Sequence, residues 1–151
     1  MSATLVYNPS IETCIQVCNS LLRGEHAAVE TYDQAIERYV GHPESVTLIR
    51  MRDEHRCNAG KLRKCVIDLG GEPADGSGAW GVVARSVATF AGWFGERPAI
   101  AALQEGEAYG IGEYEAALDH PDVTPDCKSM IYTELLPRLR EHLRDLHAIA
   151  A

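Results

Sequence analysis

Four side chains in this 151-residue sequence have the types and positions to hold a metal ion: Glu25, His55, Glu107 and His142. Each interrupts an apolar stripe written at helical spacing. In "LLRGEHAAVETYDQAI", Leu21, Leu22, Ala28, Val29, Tyr32 and Ile36 mark one helix face, and Glu25 falls inside it. His55 lies between Met51 and Leu62, Glu107 between Leu103 and Ile111, and His142 between Leu139 and Leu146. A carboxylate buried without compensation is costly enough that it would take up a proton instead. One divalent ion neutralises two carboxylates and accepts neutral imidazole nitrogens, so this set predicts a site for iron or another divalent transition metal. The alternative is a metal-free Glu–His network in which each His is held as imidazolium.

The neighbours of these four supply a secondary set. Glu54 and Glu141 directly precede the two histidines, while Asn58 and Asp145 follow them by three residues. His26, Glu30, Glu54, Glu113 and Glu141 lie beside the stripes and read as solvated, with an inward swing of Glu54 and Glu141 as extra ligands the alternative, and Glu134 is one residue off Leu135. His147 lies off its stripe, and His42 and His120 precede prolines in turns. Tyr32 and Tyr114 sit seven residues beyond the two Glu, about 10 Å along a helix axis, where their hydroxyls need partners.

The elements that must present these groups are helices. Ser10 after Pro9 is the expected N-cap of a first helix over about 10–40, which "GHP" ends. A second runs over about 44–69, until Gly70, Gly71 and Pro73 stop it. A third covers about 98–118, and a fourth about 125–150, with Thr124 as cap, Pro125 in the first turn and a kink or a late start expected at Pro137. Between the second and third, residues 70–97 form a long crossover, apolar enough for a short helix from about Trp80 to Phe94. Trp80, Phe90, Trp93 and Phe94 would anchor it or form a homodimer contact. No strand-like alternation stands out. The expectation is one all-α domain over 1–151, two helical hairpins joined by a long crossover.

The chain also echoes itself. "RGEHAAVETYDQAI" (23–36) aligns without a gap on "EGEAYGIGEYEAAL" (105–118), pairing Gly24–Glu25 with Gly106–Glu107 and Tyr32 with Tyr114. "EHRCN" (54–58) parallels "EHLRD" (141–145). Mid-helix glycine costs about 1 kcal/mol against alanine, so Gly24, Gly106 and the Gly106–Gly110 pair suggest close approach of a neighbour.

Composition narrows the function classes. Hydrophobic residues at 46% and charged ones at 24% are ordinary for a globular domain. A formal charge of −8 argues against nucleic acid as a partner, since no basic excess exists to neutralise phosphates. No apolar run reaches the roughly 18–20 residues that cross a bilayer. "MSATLVYNPSIET" lacks a signal-peptide layout, so no membrane role and a cytoplasmic location are expected. Five cysteines, Cys14, Cys18, Cys57, Cys65 and Cys127, form no CxxC and read as small core residues in a reducing compartment; Cys14 and Cys18, one turn apart, could touch.

The pattern resembles the ferritin-like superfamily, whose bundles place Glu on the first and third helices and Glu-x-x-His on the second and fourth. Within it, "LLRGE…AVETY", "GG.P…SGAWG", "EGE…Y" and "ELLP…EH", spread over about residues 15–145, are similar to a bacterial ferritin-like family of unknown function. The resemblance implies a ferritin-like four-helix bundle with Glu25 and Glu107 in the carboxylate positions of helices one and three. One departure stands out: the chain contains no Glu-x-x-His, and shows His55-x-x-Asn58 and His142-x-x-Asp145 instead. The ligand set is lean for a di-iron site, which leaves a mononuclear or altered dinuclear centre, with oxygen, peroxide or stress-related chemistry if catalytic. A metal-free interaction module is the competing expectation.

Overall fold

The computed structural model describes residues 6–78 and 96–151. The short helix expected over Trp80–Phe94, with its four aromatic residues, lies outside the described residues. Within them the chain is all helical. Helix α1 spans Pro9–Arg38, α2 Ser45–Asp68 and α3 Glu96–Asp119. A fourth rod begins as α4 (Pro125–Met130), passes through a π-helical turn (Ile131–Leu135) and continues as α5 (Leu136–Ala150).

The ends follow local chemistry. The cap of α1 is Asn8 rather than Ser10: its Oδ1 accepts from Ser10 N at 3.0 Å and Ile11 N at 3.4 Å. Pro9 then fills the first helical position, where a missing N–H costs nothing, and Ser10 is already inside the helix. At the end of α2, Gly70 takes φ +85° and Gly71 N returns to Val66 O at 2.9 Å, which closes the last turn. Thr124 Oγ1 accepts from Cys127 N at 3.3 Å, with Pro125 in the first turn of α4.

Pro137 does not produce a simple kink. The helix widens one turn earlier, and Leu136 N donates to Ile131 O, five residues back. The extra residue shows in the stripe: Ile131, Leu135, Leu136, Leu139, His142 and Leu146 are all buried, with two adjacent positions facing inward. That resets the register, so both ends of the rod face the same core.

Side-chain partners give the helix directions. Tyr32 meets Met51 and Glu25 meets His55, so α1 and α2 are antiparallel. Tyr32 meets Glu107 and Tyr114 meets Glu25, so α1 and α3 are antiparallel too. α2 and α3 therefore point the same way. The chain leaving α2 turns back along α1, where Asn19 binds Glu72 O and Ala74 N, and Glu30 accepts from Ser77. α2 faces the fourth rod through ion pairs: Arg50–Asp145 at 2.7 Å, Arg138–Glu54 at 2.9 Å and Lys61–Glu134 at 3.1 Å.

Of three apolar clusters among the described residues, two flank the middle of the bundle. One gathers Leu21, Leu22, Leu62, Tyr114, Ile131 and Leu135; the other Tyr32, Leu48, Met51, Ile100, Leu103 and Leu146. Positions 25, 55, 107 and 142 fall between the two sets on every rod. The polar residues are thus one layer of the core, enclosed above and below.

Candidate metal centre

Glu25, His55, Glu107 and His142 are all buried, at 0–3% exposure, one from each rod. They form a continuous hydrogen-bonded chain. His55 Nδ1 lies 2.6 Å from Glu25 Oε2, and His55 Nε2 lies 2.9 Å from Glu107 Oε1. His142 Nδ1 reaches the same Glu107 oxygen at 3.1 Å, while its Nε2 lies 2.7 Å from Glu54 Oε2. Tyr32 donates to Glu107 Oε1 and Tyr114 to Glu25 Oε1, each at 2.5 Å. The tyrosines bond crosswise, each to the glutamate of the other helix.

The arrangement divides the residues by role. Ligand atoms of His55, Glu107 and His142 lie within 4.8 Å of one another, and this trio could hold a metal ion. Glu25 is not in that group: it grips the other nitrogen of His55. Glu54 does the same for His142. Each imidazole thus presents one nitrogen to Glu107 and has the other fixed by a carboxylate, which sets ring orientation. Two imidazoles and one carboxylate form a donor set that suits iron or zinc. One further observation favours an ion: Glu107 Oε2 is buried and has no hydrogen-bond partner among the described residues.

The secondary positions separate clearly. Asp145 faces the surface, where Arg50 binds it, and Glu141 is exposed; neither approaches the trio as a ligand. The π-turn sets the register that buries His142 with Leu139 and Leu146, which leaves Glu141 and Asp145 toward the outside. Asn58 is buried with its Nδ2 unpartnered, yet it lies outside the trio. Glu54 is the secondary residue that reaches the site, and it is further tied by Arg50 at 2.9 Å and Arg138 at 2.9 Å. Nothing in the stripe pattern points to it, because it sits one position off the stripe and reaches across to another rod. Of the residues read as solvated, His26 lies 3.3 Å from Ala74 O and Glu30 accepts from Ser77, so both hold the start of the crossover.

Electrostatics follow the geometry. Burial opposes a charged His55, but the facing Glu107 and Glu25 carboxylates outweigh it and push its pKa up to about 10. Burial would also raise Glu107, but His55 and His142 bring it down to about 2. Burial, reinforced by the glutamate each one contacts, holds Tyr32 and Tyr114 well above the usual phenol range, so both remain O–H donors. Burial opposes ionisation of Glu54, yet His142 and Arg50 hold its carboxyl below the ordinary range.

A cavity of about 490 Å³ opens beside this layer, between α1 and α3. Glu25, His55, Glu107 and Tyr114 line it together with Gly24 and Gly106. Among the described residues the two glycines do not serve the close packing that their positions suggested: a Cβ on either would meet none of them within 4 Å. Of the mid-helix glycines Gly24, Gly106 and Gly110, it is Gly110 that has a close neighbour, Leu139 Cδ2 at 3.0 Å.

Residues 13–120 match the family described as domain of unknown function DUF2383. The chain belongs to that family. The DUF2383 match takes in Glu25, Glu54, His55 and Glu107, and ends before His142. No curated protein and no solved structure matches the chain. No helix among the described residues is long and apolar enough to cross a membrane.

Proposed function

We propose that this DUF2383 protein is a ferritin-like bundle that binds one transition-metal ion, iron or a similar dication, through His55, Glu107 and His142. The observation that carries the reading is the shared oxygen of Glu107, met by a nitrogen from each histidine while its second oxygen is buried with no hydrogen-bond partner among the described residues. Glu25 and Glu54 orient the two rings, and Tyr32 donates to Glu107 to limit its movement. The up–down order of the rods, with α2 and α3 pointing the same way, fits a ferritin-like topology with a long crossover.

Bound there, the ion would supply Lewis acidity and, if iron, one-electron redox chemistry toward oxygen or peroxide. The protein's own part is to exclude water with two apolar layers and to keep the tyrosines protonated beside the carboxylates. The cavity leaves room for a small reactant next to His55 and Glu107. Such chemistry fits a role in stress adaptation in the cytoplasm.

The test is metal content. Protein purified without chelator should retain close to one ion per chain, or bind one ferrous ion anaerobically, and His142→Gln should lose it with the helical circular dichroism intact. A second reading has its own support: His55 is bonded at both nitrogens without any ion, as a metal-free interaction module would require. A folded protein that ignores iron, manganese and zinc would establish that reading and remove the first.

A further inference from the structure

The structure gathers a second set of metal-type donors far from the first. Cys14 and Cys18 of α1, Cys65 of α2 and Cys127 of α4 meet at one end of the bundle. They pack with Val66 and Val123. Cys14, Cys18 and Cys127 are at most 3% exposed, and their sulfurs lie within 4.8 Å of one another. Cys18 Sγ is 3.8 Å from Cys65 Sγ and 4.0 Å from Cys127 Sγ. Cys65 and Cys127, with Cα atoms 6.8 Å apart, are joined as a disulfide. The fifth cysteine, Cys57, is exposed and takes no part.

Four sulfurs from three helices in one apolar pocket are more than a single disulfide needs. A tetrahedral ion with bonds to sulfur of about 2.3 Å has sulfur–sulfur edges of about 3.8 Å. The two distances from Cys18 already have that length. The donor set is soft and free of carboxylates, which favours zinc over the harder cations. Cys18 lies seven residues before Glu25, about 10 Å along α1, so the two sites share a helix and no ligand.

We infer that the reduced protein binds one zinc ion through Cys14, Cys18, Cys65 and Cys127. This site does not depend on the Glu–His centre. Two balanced steps lead to it. A dithiol transfers two electrons and two protons to the Cys65–Cys127 disulfide, becoming a cyclic disulfide itself and leaving four thiols. The dication then displaces four protons and forms four metal–sulfur bonds. Half-buried Cys65 gives the pocket its edge toward solvent. Zinc here would tie the start of α1 and the end of α2 to the start of α4.

Cobalt(II) is the probe, because its thiolate charge-transfer absorption reports sulfur ligation and cannot arise from Glu or His. The full chain is reduced with a dithiol, freed of it under argon and titrated. One equivalent of cobalt should develop thiolate charge transfer with tetrahedral d–d bands, and zinc should displace it. Protein with the disulfide intact should develop no thiolate charge transfer, whatever cobalt the Glu–His centre takes up. Cys14→Ser and Cys18→Ser should weaken the charge transfer severely, while Cys57→Ser should leave it unchanged. Absence of sulfur bands in reduced, helical wild-type protein overturns the site, as does their survival in both serine variants. A reduced chain that loses its helical signal and does not regain it with zinc also overturns it.

Discussion

The two hairpins of this molecule echo each other in sequence and differ at the centre. Glu25 and Glu107 correspond, as do Tyr32 and Tyr114, and the crossed tyrosine bonds keep that symmetry, both at 2.5 Å. The histidine layer breaks it. Glu107 takes three partners, His55, His142 and Tyr32, whereas Glu25 takes His55 and Tyr114. On the flanks, Glu54 of the first hairpin reaches His142, while its counterpart Glu141 faces solvent. The second hairpin alone carries the π-turn and Pro137. Two hairpins that echo each other thus carry a one-sided polar centre: one carboxylate between the two rings, another behind one ring.

Glu107→Ala should break that asymmetry most severely. It strips one partner from each of two buried histidines, and removing one member of a buried charged pair costs about 3–5 kcal/mol. Glu25→Ala, which leaves His55 bonded to Glu107, should cost less. Urea unfolding of the metal-free variants checks the order, and equal losses would show that the centre is symmetric after all.

The pH dependence of metal-free stability comes next. His55 is raised from 6.5 to about 10 on folding, so its contribution is complete below pH 6.5 and is lost as pH rises through 10. Glu107 is lowered from 4.5 to about 2, so its contribution is complete above pH 4.5 and is lost as pH falls through 2. Both describe one contact and do not add. Stability should peak between these limits, and His55→Gln should flatten the alkaline slope.

The flanking carboxylates sharpen the contrast on a smaller scale. Glu54→Gln should weaken metal affinity about 10–100-fold without changing stoichiometry, as expected for a residue that orients a ligand. Glu141→Gln should leave affinity unchanged and stability within about 0.5 kcal/mol. Calorimetric titration with a ferrous or zinc salt distinguishes them. Equal effects would mean that Glu141 turns inward when the ion binds.

What the sequence made legible is what periodicity encodes. The four rods and the inward direction of Glu25, His55, Glu107 and His142 follow from a repeat of 3.6 residues. Reach across rods does not. Glu54 sits one residue off its stripe, and only the placement of α5 against α2 lets it meet His142. The same holds for the cysteines, which have no linear motif because their neighbours are 47 and 109 residues apart. The π-turn left a trace, the adjacent Leu135 and Leu136 before Pro137, but a stripe read at α-helical spacing passes over it. Glu107 and Glu25 look identical in sequence, and their roles separate only once the ring nitrogens are placed.

The smallest effect belongs to the paired glycines, Gly24 and Gly106, where the two halves still agree. Each sits in a helix interior, where alanine is favoured by about 1 kcal/mol, and an added methyl would meet nothing within 4 Å. Gly24→Ala and Gly106→Ala should therefore each raise the melting temperature by about 2–4 °C. Gly110→Ala should gain less, because its methyl would press on Leu139 Cδ2 at 3.0 Å. Both favourable methyls project toward the cavity beside Glu25 and Glu107. If the alanine variants are more stable and still take up metal, the bare walls serve what enters beside the ion rather than the ion itself. A difference between them would locate the entry on one hairpin, and equal melting gains with equal metal uptake would make the glycines, like the crossed tyrosine bonds, a part of the centre where the two hairpins agree.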